Sequence, residues 1–296
     1  MLETSKDQVV SEILSDQLRF AQGLARCSQA LLKPVGDEEE KILALNAALE
    51  YLRQATESSR AFLYKNVDDP ELGFCSEVVS VAYDPKYPAD STTSKMLRKI
   101  PWSIAPGKAK RTLESGKPFG GIVDELFATK PDFLRVVKED GVLSLQFFPI
   151  RLEGHWWGYI GFDERRQVRR WAETEITLLG TAAELFANTL HRWQTKAALK
   201  IQNRHEEALS SCSRALLQVV YSVEEQVAVL NQGLEYLRLA VDAGRAYLLR
   251  NFVDPELGLC TRILAEVCAP GVDPHIGVPI NQRFPWSNLP LSGAKL

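Results

Sequence analysis

SLQFFPIRLEGHWWGYIGFDERRQVRRWAETEITLLGTAAELFANTL, Ser144 to Leu190, is the stretch whose reading decides the fold. Val142 to Arg151 and His155 to Glu164 read as two strands joined at Glu153-Gly154, a tight hairpin. Trp156 and Trp157 are neighbours on the second strand, so they point to opposite faces and at most one can face a pocket. A long helix follows, from Ala172 to about Trp193. Its apolar stripe of Ile176, Leu179, Ala183, Phe186, Leu190 and Trp193 has heptad spacing. That stripe is wider than one sheet needs, so part of it is expected to pack on a second subunit.

Upstream, Ser11 to Lys33 carries Ile13, Leu14, Leu18, Leu24, Ala25, Leu31 and Leu32 at helical spacing, and Pro34 and Gly36 end that helix. Asp37 then caps a second helix. Glu38 to Glu40 suit its positive end, and Ile42, Leu45, Leu49 and Leu52 form its inner face. Arg60 to Asn66 reads as a central strand because AFLY is apolar on both faces. NVDDPELG, Asn66 to Gly73, supplies the turn, and Phe74 to Tyr83 the return strand. Asp84 to Asp140 is irregular, with short helices expected over Pro101 to Ser115 and Pro131 to Lys138. The order gives an α+β domain: an antiparallel sheet with terminal helices on one face and the irregular middle on the other.

The opening of this domain recurs. Cys27 to Cys75 reappears without a gap as Cys212 to Cys260, about 185 residues on, with roughly half the positions identical. CSQALL becomes CSRALL, NAALEYLRQA becomes NQGLEYLRLA, and RAFLYKNVDDPELGFC becomes RAYLLRNFVDPELGLC. Pro101-Trp102-Ser103 answers Pro285-Trp286-Ser287. The second copy stops at Leu296, level with the middle of the first, which reads as a chain cut from something longer or a degenerate gene product. The expected organisation is a complete domain over 11–193, a charged helical linker over 194–210 through which helix can run unbroken, and the first half of a second domain over 203–296. The missing second hairpin and closing helix would leave this half poorly ordered or completed by another chain.

A 45% hydrophobic and 25% charged composition is that of a soluble globular protein. The net charge of −3 offers no field to recruit nucleic acid or an anionic membrane. No run approaches a membrane span and the start lacks the apolar core of a signal peptide, so a cytoplasmic location is expected. The five cysteines show no CxxC or Cys-His spacing for zinc; Cys27 and Cys212, and Cys75 and Cys260, are repeat equivalents that read as small buried hydrophobes, and Cys268 stands alone.

The Ser144–Leu190 stretch, with its apolar-Pro-Ile step, Trp-Gly-x-x-Gly-Phe-Asp and acidic-Ile-x-Leu-Leu helix, resembles a GAF domain. RAFLYKN and Trp102 look like the first strand and the Trp of the subgroup found in multidomain bacterial sensor histidine kinases. The resemblance covers about Ser11 to Trp193, and the second copy through its first half. It implies a six-stranded antiparallel sheet with terminal helices on one face, where these domains commonly dimerise, and a loop and short-helix lid closing a ligand pocket on the other. It implies a non-catalytic regulatory module of a two-component system that binds a small molecule and passes its state along the exit helix. A kinase, cyclase or phosphatase output would lie outside this chain.

The letters bear on the ligand. Bilin-binding relatives use a Cys, usually followed by His, in the middle region, and Asp84 to Asp140 has no Cys. Lys65-Asn66 is reversed and misplaced for the Asn-Lys pattern of cyclic-nucleotide binders, and Asp124-Glu125 lacks its partners. The cysteine cluster of methionine-sulfoxide-reducing relatives is missing. Haem would need a pocket His, and only His155 and His191 are on offer. The cofactor is therefore unknown. Phe62, Tyr64, Trp102, Phe119, Phe133, Phe147 and Tyr159 are candidate pocket aromatics, with Arg98 and Gln146 as polar fixers. The alternative is a ligand-free dimerisation and relay spacer whose aromatics fill the core. An empty cavity of roughly 300 Å3 or more separates the two readings.

Overall fold

A computed structural model of the chain describes residues 2–86 and 98–288, with side chains from Leu14 onward. The side chain of Ile13, and Leu296, lie outside what is described. Two compact units divide the chain at Trp193/Gln194.

The first unit contains α1 (Leu2–Leu32), α2 (Glu38–Thr56), β1 (Arg60–Asp69), β2 (Gly73–Tyr83), β3 (Lys99–Pro101), α3 (Gly107–Glu114), β4 (Phe119–Ile122), α4 (Val123–Leu126), α5 (Pro131–Glu139), β5 (Ser144–Leu152), β6 (His155–Glu164) and the start of α6 (Glu173–Leu216). Its sheet is antiparallel and six-stranded, in the order β3-β2-β1-β6-β5-β4. Ala61 to Tyr64 are all buried, as a strand flanked on both edges and covered on both faces requires. Glu153 and Gly154 both have positive φ, 50° and 82°, the backbone of a tight two-residue hairpin turn.

Period-two alternation sorts the side chains into two cores. On the helical face, Ala61, Leu63, Phe148, Ile150, Ile160 and Phe162 meet Leu31, Leu45, Leu49 and Leu52 of the first two helices and Leu179, Ala183 and Phe186 of α6. On the lid face, Phe62, Tyr64, Leu145 and Tyr159 meet Ala109, Leu113, Val123 and Val137. Each large side chain fully buried this way contributes about 1.5–3 kcal/mol. Trp156 belongs to the lid core and Trp157 packs against the helical one.

Several expectations are corrected. Helix was expected from Pro101, but Pro101 ends β3 and α3 begins only at Gly107, after Pro106. Two short edge strands, β3 and β4, lie in the region read as irregular; a few residues are too short to show periodicity. Ile42 is exposed at an open cleft beside β2, while Leu45, Leu49 and Leu52 are buried as the inner face of α2. Asp37 does cap that helix, accepting from the Glu40 amide at 2.8 Å. In the α6 stripe, Leu179, Ala183, Phe186, Leu190 and Trp193 are buried within this chain and Ile176 is partly buried. The exposed apolar residues among the described part of α1 are instead Leu14, Leu18 and Leu32.

The second unit holds the end of α6, α7 (Val223–Ala240), β7 (Arg245–Asp254), β8 (Gly258–Cys268) and β9 (Phe284–Pro285), in a three-stranded sheet ordered β7-β8-β9. Ser222 and Glu225 form a reciprocal capping box at the start of α7. Local details of the first unit recur. The β1–β2 ladder is irregular at Leu63/Tyr64 and the β7–β8 ladder at Leu248/Leu249. The Trp102 indole donates to Asn66 at 3.0 Å, and that of Trp286 to Asn251 at 3.1 Å. Arg53 pairs with Glu50, and Arg238 with Glu235.

Candidate functional site

The lid face of the first unit gathers a cluster of aromatic residues. Phe62 and Tyr64 on β1 point to it, as do Tyr159 on β6 and Phe147 on β5. Tyr64 and Tyr159 sit opposite each other in register and stack at 5.3 Å with their planes 2° apart. Phe147 approaches Tyr159 at 5.0 Å and Phe62 at 5.9 Å, while Trp102 reaches Tyr159 at 5.8 Å and Trp156 at 4.9 Å. Contacts at these separations add about 0.5–1.5 kcal/mol each beyond area burial. Gly161 makes room for this cluster: a Cβ there would lie 2.2 Å from the Phe62 ring.

One end of the aromatic cluster is ionic. Arg60 Nε donates to Asp163 Oδ2 at 2.6 Å, and its Nη2 lies 2.8 Å from Asp140. Arg165 pairs with Asp140 at 2.7 Å. Burial works against the Arg60 charge, yet Asp163 and Asp140 outweigh it and hold the guanidinium firmly protonated. Burial likewise raises the Asp163 carboxyl above the ordinary range, against the pull of Arg60 and Arg165. Its Oδ1 is buried without a hydrogen-bond partner. Burial raises both Tyr64 and Tyr159, so neutral hydroxyls face the cluster.

Two cavities lie under the lid, of about 60 and about 50 Å3. The first joins the ionic end, Arg60, Asp140 and Asp163, to Phe62, Tyr64, Phe133, Phe147 and Tyr159. The second is bounded by Trp102, Phe133, Phe147 and Tyr159. A larger open cleft of about 590 Å3 runs along β2 and shares Arg60, Phe62 and Tyr64 with the inner cavity; Ser80, Tyr83 and Arg98 complete its wall.

Of the nine expected site residues, Phe62, Tyr64, Trp102, Phe133, Phe147 and Tyr159 line these spaces, and Arg98 lines the cleft. Phe119 lies in the lid core, 6.5 Å from Phe147, but touches none of the three spaces. Gln146 is misplaced by the expectation: alternation on β5 puts it on the helical face with Phe148, where it covers Gly120. The sequence reading missed Arg60, Asp140 and Asp163. Period two would have found Arg60 and Asp163, since they continue the rows Arg60-Phe62-Tyr64 and Tyr159-Gly161-Asp163. His155 is exposed beside the hairpin turn and His191 is exposed 3.8 Å from Glu153, both away from the cavities. Among the described residues, no helix is long and apolar enough to cross a membrane.

Over 154 residues, 51% of this chain, the sequence is 27% identical to the methanogenesis regulatory histidine kinase FilI of Methanothrix harundinacea (strain 6Ac), and it spans only 16% of that relative's length. The photosensory core module of Stigmatella aurantiaca phytochrome superposes with a TM-score of 0.54 at 18% identity, covering 85% of this chain and 49% of that one, which shows a shared fold. The phycoerythrobilin-bound GAF domain from a cyanobacterial phytochrome gives a TM-score of 0.48 at 15% identity, covering 61% of this chain and 99% of that one. The GAF domain family model matches residues 41–190, about half of the chain, taking in the sheet and lid of the first unit and the start of α6. The chain belongs to the GAF domain family.

Proposed function

We propose that this chain is a non-catalytic sensory module of a signal-transduction protein, one that binds a small molecule in the cleft along β2 and reports its state through α6. The cleft carries this reading: at about 590 Å3 it exceeds the roughly 300 Å3 that a metabolite-sized ligand needs. It reaches Arg60, Phe62 and Tyr64, so an occupant would touch the strand that forms the middle of the sheet. The opposite face of that sheet holds Leu179, Ala183 and Phe186 of the exit helix. A shift of β1 is therefore felt at α6 through one layer of packed side chains.

A homodimer through the terminal helices belongs to the same proposal, now placed on α1. Leu14, Leu18, Ala21, Ala25, Ser28 and Leu32 follow a 4-3-4-3-4 spacing, and Leu14, Leu18 and Leu32 are each about 60% exposed. The recurring bulge, indole hydrogen bond and Arg–Glu pair support reading the second unit as a repeat of the first half of the domain.

The second reading, a ligand-free relay spacer, is favoured by the two lid cavities, which at about 60 and 50 Å3 hold no more than a water or two. Anilinonaphthalene sulfonate, an aromatic anion, separates the two readings. Saturable binding with slowed amide exchange over residues 60–64 and 77–83 is expected, weakened at least tenfold by Val81→Trp, which fills the cleft. Equal exchange with and without the probe would leave the spacer reading standing.

A further inference from the structure

We infer that the open edge of β7 is a docking site for an antiparallel partner strand carrying Gly-x-x-Gly-Phe-Asp, the kind of strand that β6 supplies to β1. β1 and β7 share the pattern Arg-Ala-aromatic-Leu, both form a hairpin with the following strand, and both ladders are irregular at the same step. Their other edges differ. β1 also pairs with β6 over Arg60 to Lys65, whereas among the described residues β7 ends its sheet. The consequence is visible in exposure: Phe62, Leu63 and Tyr64 are 6%, 0% and 7% exposed, but Tyr247, Leu248 and Leu249 are 52%, 37% and 40% exposed. A long apolar edge of this kind is a template for another strand.

The β1–β6 register specifies the occupant. Asp163 stands opposite Arg60, Phe162 opposite Ala61, Gly161 opposite Phe62 and Gly158 opposite Lys65. Both glycines make room for β1. A Cβ at Gly158 would lie 2.0 Å from the Tyr64 carbonyl oxygen, and one at Gly161 would meet the Phe62 ring. Carried to β7, the occupant places Asp opposite Arg245, Phe opposite Ala246, and glycines opposite Tyr247 and Arg250.

A second observation agrees. Beside β7, an apolar groove of about 380 Å3 is lined by Leu234, Leu237, Ala240 and Ala246. Their counterparts Leu49, Leu52, Ala55 and Ala61 are no more than 3% exposed, and Leu49, Leu52 and Ala61 share a core with Phe162. The phenylalanine of the incoming strand fills that groove. Gly-x-x-Gly-Phe-Asp occurs once in this chain, at Gly158 to Asp163, and that strand is already held between β1 and β5. The occupant therefore comes from outside these 296 residues.

The test uses the whole chain and a fluorescent hairpin peptide with the sequence of Ser144–Glu164. We expect saturable binding at one peptide per chain, with slowed amide exchange over 245–250 and none of that change over 60–65. Gly161→Val in the peptide, or Ala246→Arg in the chain, should each weaken binding at least tenfold. Absence of saturable binding, or binding indifferent to both substitutions, overturns the proposal. So does a chain that dimerises by light scattering with residues 245–250 already protected, since a second copy would then cover the edge.

Discussion

Glu164 ends β6 almost fully buried, and five donors converge on its carboxylate. Oε1 accepts from the Ser59 hydroxyl at 2.7 Å, the Arg165 and Arg166 amides at 3.0 and 2.8 Å, and Arg166 Nε at 2.8 Å; Oε2 accepts from Arg166 Nη2 at 2.6 Å. Burial alone would raise its pKa, but these hydrogen bonds outweigh burial and bring it from 4.5 down to about 2. A difference of that size corresponds to at most about 3 kcal/mol. Arg166 is partly open to solvent, so we discount the figure to about 2 kcal/mol. Glu164→Gln should therefore destabilise the first unit by about 2 kcal/mol at pH 7.

The sign of the pH dependence follows from the depressed pKa. The carboxylate's contribution is fully present above the unfolded value near 4.5 and is lost as pH falls through about 2. Wild type and Glu164→Gln should thus differ at pH 7, differ by less than half as much near pH 3, and converge near pH 2. Urea unfolding followed by tryptophan fluorescence reads this unit selectively, because five of the six tryptophans lie before Gln194. A difference that stays constant from pH 7 to pH 3 would refute the assignment of the stability to the ionised carboxylate.

Two further substitutions and one chemical probe test the packing. Gly158→Ala drives a Cβ into the backbone of β1, which cannot step aside, whereas Gly161→Ala meets a phenyl ring that can. The first should cost more than about 3 kcal/mol and the second about 1–3 kcal/mol in the same urea assay, and a reversed order would contradict the register. Burial pushes the Cys27 thiol up to about 12 and raises Cys75 and Cys260 as well, while Cys212 and Cys268 are only half-buried. A thiol-reactive chromophore at pH 8 should therefore label two cysteines of the native chain quickly and all five only after unfolding.

What the sequence discloses here depends on how many residues share a signal. β5, β6, α2 and the exit helix each repeat their apolar period several times, so their faces are legible without a structure. β3 and β4 are a few residues long, and their strand character comes only from the neighbours they pair with. The site divides the same way. Seven aromatic residues could be placed at the lid because aromatic side chains on a sheet face must be buried somewhere. The Arg60–Asp163–Asp140–Arg165 cluster was not legible as a unit, because Asp140 comes from the end of α5, and only the fold brings it to Arg60. Gln146 failed for a local reason: Phe147 and Phe148 are both large and apolar, so the sequence does not say which row of β5 faces the lid. The exit helix shows the limit from the other side. Its stripe is apolar as read, and most of it packs against two helices and the sheet together, which no count along a single helix reveals. The same reasoning bears on the second unit. Its β7 repeats the letters of β1 yet is exposed where β1 is buried, so what distinguishes an interior strand from an open edge is the strand beside it.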